Sequence, residues 1–83
     1  MNYFWLSFRD PDINLNLGCT IINDADDLDT AIQKAWDLGI NPGGEVLGTL
    51  MTEEMFKEEG LEADRLYTRS EMIELGYEKI GKS

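Results

Sequence analysis

The sequence predicts an α+β domain: a small three-stranded sheet, antiparallel or mixed, built β-β-α-β with strand order 2-1-3, one long helix, and short C-terminal helices. Three observations point to it. An uninterrupted aromatic run opens the chain over residues 3–9, apolar residues recur at spacings of three and four over residues 28–38, and Gly or Pro clusters punctuate the segments between.

Tyr3-Phe4-Trp5-Leu6-Ser7-Phe8-Arg9 reads as a strand because aromatic side chains suit a pleated surface and no breaker interrupts them. Alternation puts Phe4, Leu6 and Phe8 on one face, and Tyr3, Trp5, Ser7 and Arg9 on the other. A strand apolar on both faces belongs in the middle of a sheet or against a partner. Asp10-Pro11-Asp12 is a turn. A second strand follows over about 15–22, with Leu15, Leu17, Cys19 and Ile21 expected on one face and hairpin pairing to the first.

Asp24, Asp26, Asp27 and Asp29 can cap a helix start and favour its positive dipole end. Leu28, Ala31, Ile32, Ala35 and Leu38 then form one helical face, Gly39 supplies a left-handed C-terminal position, and Ile40 the apolar contact of a Schellman cap. Asn41-Pro42-Gly43-Gly44 is a loop and Glu45–Met51 a third strand. A right-handed crossover through the helix makes this strand parallel to the second. Thr52 begins a short helix that ends before Gly60. Ser70 is expected to cap another over Glu71–Leu75, with Glu78–Ser83 frayed. One helix covers one face of such a sheet. The other stays wet unless the C-terminal helices or another copy cover it, so a homo-oligomer is expected.

Eighty-three residues fit a single domain, 1–83, and 17 acidic against 7 basic residues leave a net charge of −10. That balance opposes direct nucleic-acid binding and attachment to anionic membranes. With no His and one Cys, the chain offers no His-dependent triad, no thiolate zinc cluster and no internal disulfide. The start lacks a signal-peptide pattern and no apolar run approaches a bilayer span, so a cytoplasmic location is expected. Asp10-Pro11-Asp12-Ile13-Asn14 imitates the start of a calcium loop, but Leu15 and Ile21 stand where Gly and Glu belong. Neither catalysis, metal nor cofactor is expected. Cys19 reads as a small core hydrophobe.

Two features admit a binding role beside a purely structural one. Asn41-Pro42-Gly43-Gly44 is first a helix-to-strand connector, yet its backbone N–H groups, with no Cβ atoms in the way, can meet a phosphate or carbonyl. Arg65 and Arg69 flank Leu66-Tyr67-Thr68. They can pair with surface acids, or join the aromatic strand face around an anion, with Trp5 or Tyr67 stacked on a base. The acidic runs, Asp24–Asp29 and Glu53–Asp64, serve capping and solubility, or imitate nucleic-acid phosphates.

Phe4-Trp5-Leu6-Ser7-Phe8, Ala35-Trp36-Asp37-Leu38-Gly39-Ile40-Asn41-Pro42-Gly43-Gly44-Glu45-Val46 and Arg65-Leu66-Tyr67-Thr68-Arg69-Ser70-Glu71 together resemble a group of very small proteins encoded by phages and prophages. Small phage proteins of this size are often anti-defence factors. One class resembles a sponge, an oligomer that captures a cyclic oligonucleotide or cyclic ADP-ribose signal without cleaving it; another resembles nucleic acid and blocks nucleases. By that analogy the expected function is sequestration of a nucleotide-type immune signal, with Trp5 and Tyr67 stacking, Asn41, Gly43 and Gly44 giving polar contacts, and Arg65 or Arg69 meeting phosphate. The alternative is an acidic interaction module, or a DNA-mimic inhibitor of a host nuclease or defence protein.

Overall fold

A computed structural model describes residues 3–76. Strands β1 (Tyr3–Asp10) and β2 (Leu15–Asn23) form a hairpin, followed by helix α1 (Leu28–Asp37), strand β3 (Glu45–Met51), helix α2 (Glu53–Glu59), the short strand β4 (Leu66–Tyr67) and helix α3 (Arg69–Glu74). The architecture is α+β. The sheet has four strands in the order β3-β1-β2-β4, and every neighbouring pair is antiparallel. The expected three-stranded 2-1-3 sheet therefore gains a strand on the outer edge of β2. β4 is two residues long, too short to leave a periodic signal, and tertiary pairing of Cys19 with Tyr67 and Thr20 with Leu66 creates it.

β1 lies between β2 and β3 and separates two cores. Phe4, Leu6 and Phe8 face α1 and pack with Ile22, Ala25, Ala31 and Ala35. Tyr3 and the half-buried Trp5 face the other way, with Cys19, Ile21, Met51, Leu61, Tyr67 and Met72. Burying each of Leu6 and Phe8 contributes about 2 kcal/mol. The second face is covered from within the chain. The Phe56 ring of α2 stacks on Tyr3 with centroids 4.3 Å apart and planes 9° from parallel, and Met72 of α3 is fully buried. This intramolecular cover removes much of the reason for expecting an oligomer on that face.

A β-bulge corrects one expected face. Phe8 pairs with Gly18 but Arg9 pairs with Asn16, so Leu17 is the extra residue. Leu17 consequently joins the α1 core while Cys19 and Ile21 belong to the opposite one. The bulge also buries Asn16, whose side chain donates to Ser7 Oγ (3.1 Å) and accepts the Gly18 N–H (2.9 Å).

Asp27 caps α1 by accepting the Thr30 N–H at 2.8 Å. The helix ends in a Schellman motif: the Ile40 N–H donates to Ala35 O and the Gly39 N–H to Trp36 O, both at 3.0 Å. Ala31 and Ala35 are its buried contacts, while Leu38 is exposed. At its start Leu28 lies where a side chain on Gly48 would be, so this glycine lets the helix rest directly on β3. α3 begins two residues earlier than Ser70 capping implies. Thr68 is the cap, its Oγ1 accepting the Glu71 N–H and Glu71 accepting the Thr68 N–H, a reciprocal capping box. The expected fraying of residues 78–83 lies outside the described residues.

Gly44 has φ of 75°, and a Cβ there would collide with the carbonyl oxygen of Arg9. Gly39 has φ of 72° with open space around it. Gly44→Ala should therefore cost about 3 kcal/mol, from strain plus collision, against about 1 kcal/mol for Gly39→Ala. Urea denaturation of the two variants measures the difference; equal costs would contradict the close approach.

Candidate functional site

The sequence-derived binding residues fall at three places. Arg65 and Tyr67 lie at the β4 edge. Tyr67 is buried, and its phenolic oxygen accepts the Glu62 N–H at 2.8 Å. One face of its ring is covered by the Arg65 guanidinium, 4.3 Å from the centroid. Arg65 in turn meets Glu71 at 2.6 Å and Glu62 at 3.9 Å. Glu62, Arg65, Tyr67, Glu71 and Glu74 line a shallow dish of about 440 Å³. Three carboxylates against one guanidinium make this dish unfavourable to phosphate. Arg69 starts α3, with its Nε buried and lacking a hydrogen-bond partner.

Asn41, Gly43 and Gly44 lead into β3, at the opposite edge of the sheet, roughly 14 Å away by strand spacing. Asn41 Oδ1 accepts the Gly43 N–H at 2.7 Å, so that amide is engaged inside its own turn. The structure therefore does not bring the Gly-Gly loop together with Arg65 and Tyr67.

Trp5 occupies a third place, the β1 face opposite α1. With Thr49, Leu50, Met51, Met55 and Glu59 it lines a largely apolar hollow of about 240 Å³ between β3 and α2. Trp5 and Tyr67 share one sheet face, with β2 between them. Thr49 and Met55 were not among the candidate residues. Thr49 pairs directly with Trp5, and Met55 is brought over it by the turn at Thr52, a juxtaposition that needs the β1–β3 register.

Cations are largely committed within the chain. Arg9 pairs with Glu45 (2.7 Å), Lys34 with Asp64 (3.4 Å) and Lys57 with Glu53 (3.6 Å). Lys34 also donates to Asn23 O at 2.6 Å. The acidic residues are mostly exposed, and their placement follows from the sheet. Tyr3 pairs with Asn23 on one side and Met51 on the other. The chain leaving β2 (Asp24, Asp26, Asp27) and the chain leaving β3 (Glu53, Glu54) thus emerge at the same end of the sheet.

Cys19 is buried, and desolvation pushes its thiol pKa up against the lowering hydrogen bonds of Ser7 and Asn16, so the thiol is held protonated and inert. Among the described residues no cluster of three or more acidic or Cys side chains is arranged to hold a metal ion, and no helix is long and apolar enough to cross a membrane. No protein-family description, curated protein or solved structure matches the chain.

Two exposed caps give a pH dependence. The Thr30 backbone N–H lowers the Asp27 pKa, and the Thr68 backbone N–H, followed by the Arg65 charge, lowers that of Glu71. Both groups are thus more acidic folded than unfolded. Their stabilisation is present above the ordinary values of 3.8 and 4.5 and is lost as pH falls through the depressed ones. Asp27→Asn with Glu71→Gln should flatten the fall in stability below about pH 4.5, as followed by urea unfolding across pH; an unchanged acid slope would contradict these caps.

Proposed function

We propose that this chain is a non-enzymatic interaction module whose acidic end engages a basic partner, such as the nucleic-acid groove of a nuclease or another host defence protein. The observation that carries this reading is the convergence of two acidic segments, after β2 and after β3, at one end of the sheet. Asp24 and Asp26 lie in the short β2–α1 connection and Glu53 and Glu54 in the first turn of α2, and clustered negative charge is what a phosphate-binding groove recognises. Two cations lie at this end, Lys57 paired with Glu53 and Lys34 with Asp64, and they leave Asp24, Asp26 and Glu54 as the excess; Arg9 and Glu45 lie at the opposite end of β1.

Asp24, Asp26, Glu53 and Glu54 are exposed, so neutralising them to Asn and Gln leaves both cores untouched. Against a panel of basic nucleases and repressors, the wild-type chain should bind with an affinity that falls steeply with salt, and the fourfold variant should bind at least about tenfold more weakly. Absence of salt-sensitive binding, or full retention by the variant, would remove the proposal.

A second reading is favoured by the hollow at Trp5. Its size and apolar lining suit one flat heterocycle, which supports capture of a nucleotide-type signal with Trp5 as the stacking residue. Calorimetry with cyclic dinucleotides and cyclic ADP-ribose derivatives tests it. Heat of binding that Trp5→Ala abolishes would support capture, and no heat at about millimolar ligand, where even weak sites fill, would exclude it.

A further inference from the structure

Among the described residues β3 is an edge strand with an open side: the order β3-β1-β2-β4 leaves its outer N–H and C=O groups without a neighbouring strand. Natural edges of this length are blunted by Lys, Pro or bulges. Glu45-Val46-Leu47-Gly48-Thr49-Leu50-Met51 has none of these, and its pairing with β1 is regular throughout. Leu47 and Leu50 are 59% and 57% exposed, on opposite faces of the strand. The α1 side adds more apolar surface. Lys34 reaches Asn23 and Asp64 on the β2 side of the helix. Trp36, two residues or about 200° further round, points away from that side and is exposed, and Leu28 lies above Gly48 of β3.

We propose that a second copy of the chain docks on this edge, β3 against β3, about a twofold axis through Gly48 and perpendicular to the sheet. An antiparallel pair about such an axis places residues of equal parity opposite one another. Centring it on Gly48 is the register that pairs all seven residues: Leu47 faces Thr49 of the partner subunit, Val46 faces Leu50 of the partner subunit, and Glu45 faces Met51 of the partner subunit. On the face away from α1, Thr49 lines the apolar hollow with Trp5, Met51 and Met55. The exposed Leu47 of each copy therefore arrives at the mouth of the other copy's hollow, whose 240 Å³ accommodates a leucine side chain. On the α1 face, the Val46–Leu50 pairs lie beside the two Leu28 side chains, both on the same side of an eight-stranded sheet.

Charge selects this occupant. On a chain of net charge −10, the edge strand carries one charged residue, Glu45, which is already paired with Arg9. A basic partner has little to grip there, and along the strand a second acidic copy meets no like charge beyond the paired Glu45. The four apolar side chains and seven backbone units per copy amount to on the order of 1,000 Å² buried in total, the low end for a specific interface.

Sedimentation velocity at about 200 μM, where an interface of this size is populated, should show a dimer. Raising salt should strengthen it, because screening relieves repulsion between two acidic copies, the opposite of the trend for a basic partner. Leu47→Lys and Leu50→Lys, each at a position exposed in the monomer, should keep the circular dichroism spectrum and weaken the dimer about tenfold or more. A monomer at high concentration and high salt, or a dimer indifferent to both substitutions, would overturn the proposal. A nucleotide-type ligand that binds the monomer without competing with dimerisation would also exclude Leu47 from the hollow.

Discussion

A strand that is apolar on both faces has to be covered twice, and the structure follows from that constraint on β1. Its position between β2 and β3 satisfies its backbone. Its side chains then divide the molecule into an α1 core and an α2/α3 core that meet only through the sheet. A chain of this length has little apolar surface to spend on two cores. The helices are accordingly short apart from α1, and contacts such as Phe56 on Tyr3 and Met72 beneath α3 each serve a whole element.

Local signals that act within a few residues were readable in the sequence. The acidic start of α1 (though not which Asp caps it), the Schellman end at Gly39–Ile40, the bounds of β3 and the Thr52-to-Gly60 limits of α2 each rest on a few neighbouring residues. What escaped depends on contacts across the fold. Leu17 changes face because a bulge arises between β1 and β2, and β4 exists because Leu66 and Tyr67 find the open edge of β2. Ser70 is the cap the sequence leads one to expect for α3, and Thr68 takes its place because the Glu71 carboxylate reaches back to the Thr68 N–H. The candidate binding residues divided for the same reason: residues adjacent in an imagined site lie on opposite edges of the sheet.

The consequence for function is a separation of surfaces. Acidic segments gather at the end of the sheet where Tyr3 begins. Leu47 and Leu50 are exposed along the open edge of β3. The proposed charge-driven and backbone-driven contacts thus use different places on the molecule and predict opposite responses to salt.

The central claim is that β1 holds both cores together, so that neither opens without it. Native-state hydrogen exchange of the β1 amides from Phe4 to Phe8 tests this most directly. The account predicts that they exchange only through global unfolding, with a protection free energy equal to the stability from urea denaturation. Exchange of these amides by a cheaper local opening, while β2 stays protected, would contradict it.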